Sequence, residues 1–153
     1  DVPTEAEVDR FLPQYQPRFQ VDTKNPCAFG QFVPPGAYMK MRYDIAGAME
    51  ESLVCLDKIQ EEFYGIFQRR YGPVEAIYCD DAEIILVTSG TVTSTCRLVL
   101  QSLRAKGEKV GILKMKLFRP FPVAMVREAV SHAKKIAVID RNFSFGASGI
   151  FAQ

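Results

Sequence analysis

Three short apolar runs in the C-terminal half of the chain predict buried β-strands. They begin at Ile84, Val110 and Ile136, and glycine, small polar or charged residues bound them. An unbroken apolar run of this length is typical of a strand that is buried on both faces. Between the runs, residues 91–106 and 123–132 carry apolar side chains at helical spacing. This alternation predicts a parallel α/β sheet with right-handed crossovers, that is, a three-layer Rossmann-like fold.

Two further elements precede this unit. Residues 46–70 predict a long helix, because apolar side chains recur every three to four positions and Gly72 and Pro73 then end the pattern. Residues 74–79 alternate weakly and predict an edge strand. The acidic pair Asp80 and Asp81 follows in a turn. A metal or acid–base role is one interpretation of that pair, and a solvated turn is the more ordinary one.

The pattern within residues 91–106 predicts which helix face is buried. Leu98, Val99 and Leu103 are expected to point inward, and the outward positions are Gln101, Arg104 and Lys106. Gly107 is expected to end the helix in a left-handed conformation. At its start, a hydroxyl from Thr91, Thr93, Ser94 or Thr95 could cap the helix, or the free amides could bind phosphate or carboxylate.

The first 44 residues have a different character. They hold six of the nine prolines together with seven dispersed aromatic residues. Proline disfavours helix, whereas aromatic residues are scarce in disordered segments. The sequence therefore predicts an extended segment over 1–44, followed by an α/β domain over 45–153. The aromatic rings would pack either against a surface outside the chain or against their own domain.

Composition and charge exclude several classes of partner. The net charge is +1, which gives no reason to expect nucleic acid or an anionic membrane as a partner. No apolar run approaches the ~20 residues that span a bilayer, and the acidic residues 1–10 do not predict a signal peptide. The four cysteines never form a CxxC pair, which argues against structural zinc or a cluster and favours reduced thiols in a cytoplasmic protein.

Candidate chemistry lies where the predicted strands end. In parallel sheets, ligands gather at the carboxyl ends of the strands. Three turns meet there, and the candidate anion or interface residues in them are Ser89, Gly90, Thr91, Arg119, Arg141, Asn142 and Ser144. Two arginines among hydroxyls suit an anionic group or a carboxylate of another subunit. Alternatively, Asp140 and Arg141 pair with each other and hold the turn.

No catalytic residue is predicted. The one histidine, His132, falls at a predicted helix end, where a histidine more often caps the helix or faces water. The sequence contains no HExxH motif, nucleophile elbow, GxGxxG or P-loop.

Three segments resemble a known family. They are YGPVEAIYCDDAEIILVTSG, KVGILKMKLFRPFP and KKIAVIDRNFSFGASG, and they are similar to the transketolase C-terminal-like domain (core domain II) of the pyruvate:ferredoxin oxidoreductase α subunit. LFRPFP and DRNFSFG are the most specific, and the first distinguishes pyruvate and branched-chain oxoacid enzymes from the 2-oxoglutarate type. One departure is Thr88-Ser89-Gly90, where the family has something closer to Met-Gly-Ser.

The resemblance implies a cytoplasmic enzyme that converts pyruvate, CoA and oxidised ferredoxin to acetyl-CoA, CO2 and reduced ferredoxin. It implies thiamine diphosphate, Mg2+, 4Fe–4S clusters and CoA for the parent enzyme, but no cofactor or metal in this chain. The expected partners are other domains or subunits of the oxidoreductase and, through them, ferredoxin. The chain is expected to be an inactive assembly domain that is truncated at its C-terminus and self-associates through its aromatic lead-in.

Two other hypotheses stay open from the sequence. One is a non-catalytic Rossmann-like module that binds a nucleotide or anion at residues 89–95. The other is the C-terminal domain of a different thiamine diphosphate enzyme, which keeps the fold and changes the substrate.

Overall fold

The computed structural model describes residues 2–30 and 32–153. The chain forms two compact units, Asp1–Arg70 (unit 1) and Tyr71–Gln153 (unit 2). The sequence placed the start of the α/β domain at residue 45, and the domain limits 1–44 and 45–153 stay a prediction. No helix in the described part of the chain is long and apolar enough to cross a membrane.

Unit 1 contains two helices, α1 (Glu5–Phe11) and α2 (Pro35–Phe67). A capping box starts α1: the Thr4 hydroxyl accepts from the Glu7 amide, and the Glu7 carboxylate accepts from the Thr4 amide. At the other end of α1, the Phe11 ring lies edge-on to two rings of α2, with centroids 5.2 Å and 5.6 Å away. These aromatic contacts hold the short helix against the long one.

The prediction that residues 1–44 are extended is wrong at both ends of that segment. Helix α1 lies inside it, and α2 begins at Pro35 rather than at residue 46. Proline is tolerated in the first helical turn, where its missing N–H would have no intrahelical partner. The helix also ends before residue 70, because Gln68 adopts a left-handed conformation with φ of 53°. Between the helices, the described residues of 12–34 form neither helix nor strand.

Unit 2 is a four-stranded sheet with two crossover helices. Its elements are β1 (Val74–Ile77), β2 (Ile84–Ser89), α3 (Val92–Ala105), β3 (Val110–Met115), α4 (Val123–Val130) and β4 (Lys135–Ile139). The strand order is β1-β3-β2-β4. Strand β2 runs parallel to both β3 and β4, and β1 pairs antiparallel with β3. The predicted parallel α/β sheet and its edge strand are confirmed.

Alternate residues of the central strands supply a separate core on each face of the sheet. On one face, Ile85 and Val87 join Leu113 and Met115 beneath α4. On the other face, Ile112 and Val110 pack with Cys96 and Leu100 of α3. Because both faces of the central strands are covered, they can be apolar throughout. The result is the expected three-layer arrangement of helix, sheet and helix.

The predicted inner face of α3 is wrong in part. Leu98 and Val99 are 71% and 50% exposed, whereas the buried residues of α3 are Thr93, Cys96 and Leu100. These buried positions follow a spacing of three and four that turns Leu98 and Val99 away from the sheet. The positions of apolar residues alone predicted the wrong buried face of α3, because that face includes a threonine and a cysteine.

Candidate functional site

The turn between β2 and α3 forms one wall of the candidate site. Gly90 has φ of +58°, a conformation that favours glycine, and it lets the chain reverse directly into the helix. The N-cap residue Thr91 has helical backbone angles, and its side chain makes no capping hydrogen bond. The prediction that a hydroxyl caps α3 is therefore wrong for Thr91, and Thr93, Ser94 and Thr95 lie inside the helix.

A buried hydroxyl pair fixes this turn from below. The hydroxyls of Thr88, at the end of β2, and Thr93, in the first turn of α3, lie 2.9 Å apart, and both residues are 1% exposed. One hydroxyl donates to the other, so neither polar group is left unpaired in the core. The pair ties the end of the strand to the start of the helix, which positions the residues between them.

Five of the predicted site residues surround a single cavity at the carboxyl edge of the sheet. The cavity measures about 430 Å³, and its lining consists of Ser89, Gly90, Thr91, Asp140, Arg141 and Asn142. The Arg141 guanidinium donates to the Thr91 hydroxyl across 3.3 Å, which links the turn after β4 to the turn after β2. The two turns lie close together because the parallel neighbours β2 and β4 end at the same edge of the sheet.

Hydrogen bonds from Asp140 and Asn142 hold the other wall. The Asp140 carboxylate accepts from the Asn142 side chain at 2.9 Å and from the Phe151 amide at 2.8 Å. The Asn142 side-chain oxygen accepts from the Ile150 amide at 2.9 Å. Among the described ion pairs none joins Asp140 to Arg141, so each of these residues is held by other partners.

The remaining predicted residues do not line this cavity. Arg119 lies in the turn after β3, where its guanidinium sits 5.1 Å from the centre of the Phe118 ring. Ser144 lies in the loop after β4, where its carbonyl accepts from the Ala147 amide at 3.0 Å. Parallel strand ends share an edge of the sheet, but the turns that follow them diverge.

The electrostatics of the cavity are balanced. Arg141 contributes one positive charge and Asp140 one negative charge, while Ser89, Thr91 and Asn142 add neutral polar groups. Such a lining can hold a polar group by hydrogen bonds, but it supplies no surplus charge for a multiply charged anion. The histidine is elsewhere: the His132 ring nitrogen Nε2 lies 2.6 Å from the Cys79 carbonyl oxygen.

A hydrogen-bond network around Arg104 was not predicted from the sequence. Arg104, expected to face solvent, is only 19% exposed in its side chain. Its guanidinium donates to the Val110 carbonyl, the Tyr78 carbonyl and the Asp81 carboxylate at 2.7–2.8 Å. The bond from Arg104 lowers the pKa of Asp81 below its usual value. Asp81 is thus a structural partner of Arg104. The sequence indicated only that Asp81 lies in a turn.

Two other titratable groups also serve structure. The Lys116 ammonium, 3.0 Å from the Glu75 carboxylate, lowers the pKa of Glu75. Burial raises the pKa of the Cys79 thiol, which makes it a poor nucleophile. Within residues 2–30 and 32–153, no group of three or more histidine, cysteine or acidic side chains is placed to hold a metal ion.

Comparison with known families gives a match to part of the chain. The sequence profile of the family described as "Pyruvate:ferredoxin oxidoreductase core domain II" matches residues 82–153. The matched range begins just before β2 and includes both cavity walls, but it leaves out β1 and the whole of unit 1.

Similar proteins cover more of the chain. It is 44% identical over 149 residues to pyruvate synthase subunit PorA of Methanothermobacter thermautotrophicus. This alignment covers 97% of this chain and 39% of the relative. It is 39% identical over 145 residues to ketoisovalerate oxidoreductase subunit VorA of Pyrococcus abyssi, at 94% of this chain and 37% of the relative. The chain thus spans about two fifths of the length of these relatives.

A solved structure shows a weaker likeness. The 2-oxoglutarate:ferredoxin oxidoreductase from Magnetococcus marinus is 31% identical and aligns with a TM-score of 0.45. The alignment covers 48% of this chain and 13% of the other.

Proposed function

Because this chain belongs to the pyruvate:ferredoxin oxidoreductase family, we propose that it is part of the α subunit of a pyruvate-type 2-oxoacid:ferredoxin oxidoreductase. The observation that carries this proposal is the 44% identity to a pyruvate synthase subunit over 97% of the chain. The reaction of the whole enzyme would convert pyruvate, CoA and oxidised ferredoxin to acetyl-CoA, CO2 and reduced ferredoxin. The chain spans 39% of that relative, so the reaction is assigned to the assembled enzyme.

Within that enzyme, we assign the chain an assembly role. Helix α2, all of whose residues the structure describes, has no buried residue in its 33 positions. Large apolar side chains in unit 1 are widely exposed, among them Tyr15, Phe32 and Tyr43 at 84%, 89% and 76%. Exposed apolar surface of this extent marks a contact surface for other protein. The proposed partners are other domains or subunits of a cytoplasmic oxidoreductase and, through them, ferredoxin.

The cofactors of the proposed reaction do not fit the residues described here. A 4Fe–4S cluster needs cysteine thiolates around it, whereas the four cysteines are free, with Cys79 and Cys96 buried in the two opposite cores of unit 2. Among the described residues there is also no group of three or more histidine, cysteine or acidic side chains placed to hold a metal ion. We propose that thiamine diphosphate, Mg2+, the clusters and CoA bind to other parts of the enzyme.

The cavity at the carboxyl edge is proposed as a contact with a neighbouring part of the enzyme. Its balanced charges and its hydroxyl and amide groups suit a polar backbone or side chain better than a phosphate. Arg119 and Ser144, on separate turns, would contact that neighbour independently. The comparisons favour this oxidoreductase over the nucleotide-binding module and over other thiamine diphosphate enzymes.

A branched-chain 2-oxoacid is the second candidate substrate, because the chain is also 39% identical to a ketoisovalerate oxidoreductase subunit. The test is to purify the enzyme that contains this chain and to measure CoA-dependent ferredoxin reduction with pyruvate, 2-ketoisovalerate and 2-oxoglutarate. We expect the highest kcat/KM with pyruvate. A higher value with 2-oxoglutarate would refute the assignment, and a higher value with 2-ketoisovalerate would replace the substrate but keep the family.

A separate experiment tests the assembly role. Calorimetric titration of the isolated 153-residue chain with thiamine diphosphate and Mg2+ should show no binding at micromolar concentrations. Turnover of any 2-oxoacid by the isolated chain, or micromolar cofactor binding, would contradict the role.

A further inference from the structure

An open groove runs between the edge strand β1 and helix α4 in unit 2. Its volume is about 490 Å³, and the residues that line it include Val74, Ala76, Asp80, Met125, Glu128 and His132. The groove is distinct from the cavity at the carboxyl edge, because the two share no lining residue. Nothing in the proposed reaction uses it.

The register of β1 shows which backbone groups border this groove. Strand β1 pairs with β3 on one side, and among the described strands no other is paired with it. The Lys116 amide donates to the Pro73 carbonyl at 3.0 Å, which makes these two residues a hydrogen-bonded pair of the antiparallel ladder. Such pairs alternate along a ladder. Glu75 and Ile77 therefore bond to β3, and the N–H and C=O groups of Val74 and Ala76 point away from it.

The same two residues present their side chains to the groove. Val74 is opposite Met115 and Ala76 is opposite Leu113 in the ladder, so both share the sheet face that α4 covers. Ala76 is small and exposed, and it leaves room between the strand and Met125, which is 42% exposed. The groove thus combines a free strand edge with a shallow apolar slot, as β-strand addition requires.

The charges around the slot define the occupant. Two carboxylates, Asp80 and Glu128, line it, and the lining contains no lysine or arginine. Both acidic residues are exposed, and neither has a described salt bridge. His132 is held in place by its contact with the Cys79 carbonyl. A segment with apolar residues on one face and lysine or arginine at its ends would complement this lining.

The opposite edge of the sheet is protected in a way that β1 is not. Strand β4 begins with Lys135 and follows Lys134, and both lysines are exposed. Lysines on an edge strand discourage pairing with another strand. Strand β1 carries one charged residue, Glu75, whose carboxylate is already paired with Lys116 and Arg97, and its residues that border the groove are valine and alanine.

We propose that the outer edge of β1 and the groove beside α4 form a docking site for an extended, basic-flanked segment of another polypeptide, which adds to the sheet as a fifth strand. The added strand would exchange hydrogen bonds with Val74 and Ala76, place apolar side chains in the slot, and bring its basic ends to Asp80 and Glu128. This inference does not depend on which 2-oxoacid the enzyme uses.

The test is an NMR titration of the full 153-residue chain with capped hexapeptides. The probe is Lys-Val-Thr-Val-Thr-Lys, which alternates apolar and polar side chains, and the matched peptides carry glutamate in place of lysine or N-methyl groups on alternate amides. We expect amide shifts confined to β1, α4 and the Asp80 turn, with a Kd at or below about 1 mM. The glutamate and N-methylated peptides should not bind.

Three variants locate the site. Ala76→Pro removes an outward donor without removing a bond to β3, and should weaken binding at least about fivefold. Glu128→Lys should weaken it about two- to fivefold at low salt, since exposed ion pairs contribute little. Glu108→Lys is the matched control, because Glu108 is exposed and lies outside the groove. It should leave binding unchanged.

The possible results separate clearly. Weaker binding by A76P and E128K to the extents given above, with unchanged binding by E108K and native amide spectra for all three, supports the proposal. Absence of binding by the lysine peptide, shifts centred on β4, or equal weakening by E108K and E128K would each overturn it. If A76P disturbs the fold, the E128K and E108K pair still decides the question.

Discussion

Replacing Thr88 by valine removes one hydroxyl of a buried pair and leaves the other behind. Thr88 and Thr93 are both 1% exposed, and their hydroxyl oxygens lie 2.9 Å apart between the sheet and α3. Valine matches threonine in shape, so Thr88→Val creates no cavity. Its effect is that the Thr93 hydroxyl loses the one side-chain partner that the structure gives it.

The expected sizes follow from that loss. A buried polar group without a partner costs about 1–3 kcal/mol, and each of Thr88→Val and Thr93→Val should lower the free energy of unfolding of unit 2 by that amount. Replacing both residues removes both polar groups at once, which can be nearly neutral. The two single losses sum to about 2–6 kcal/mol, so a nearly neutral double variant should be more stable than that sum predicts by about the same amount.

The assay has to report on unit 2 alone, because the chain contains two compact units. Native-state hydrogen exchange, read at the core amides of Leu86 and Leu113, gives the free energy of opening of this sheet. Both residues belong to the paired central strands. The matched control is Thr95→Val, an exposed threonine of the same helix, which should change the free energy by less than about 0.5 kcal/mol.

One result would refute the reasoning. If the double variant loses as much stability as the two single variants together, the two hydroxyls do not interact. The hydrogen bond would then have no part in fixing the turn between β2 and α3.

Four further predictions concern other contacts. Arg104→Lys should destabilise unit 2 by about 1–3 kcal/mol in urea unfolding, because lysine cannot reproduce three guanidinium bonds. The lowered pKa of Asp81 means that its contribution to stability is present above its ordinary pKa of 3.8 and is lost as the pH falls through the folded value, so Asp81→Asn should flatten the acid limb of the stability curve. Gly111→Ala should prevent stable folding of the sheet, since an added Cβ would lie 2.7 Å from the Tyr78 carbonyl oxygen. The isolated chain should self-associate through unit 1 in sedimentation velocity, and Phe32→Ser should weaken that association.

Each of these predictions has a contrary outcome. Equal stability of the lysine variant would mean that the bonds from Arg104 are dispensable, and an unchanged acid limb in the asparagine variant would separate Asp81 from the pH response. A folded Gly111→Ala chain would show that β3 and the adjacent turn can move apart. A strictly monomeric chain at high concentration would argue against the exposed rings of unit 1 as a contact surface.

The centre of the sheet could be predicted from sequence because its signal is local. The runs that begin at Ile84, Val110 and Ile136 are apolar on both faces, and only a strand covered on both sides needs that pattern. The start of α1 was also within reach, since Thr4 and Glu7 form the Thr-x-x-Glu pattern of a capping box. The six prolines of residues 1–44 favoured an extended segment instead.

The remaining errors arise from contacts between residues far apart in the chain. Arg104 lies on the polar side of its helix by sequence, and only the folded sheet brings the Tyr78 carbonyl to its guanidinium. The cavity at the carboxyl edge shows the same limit. Topology brought Thr91 and Arg141 together as expected, but only the folded path of the turn after β3 shows that Arg119 lies outside this cavity.

The strand order has a consequence for how the chain is made. Strand β2 lies between β3 and β4, yet it precedes both along the chain, and β1 also waits for β3 rather than pairing with β2. No two consecutive strands of unit 2 form a hairpin. Each strand pairs only after the chain has passed through a longer connection, and contacts between residues far apart in sequence slow folding. During synthesis, β2 has no partner until β3 leaves the ribosome, and one of its sides stays open until Ile139 has emerged.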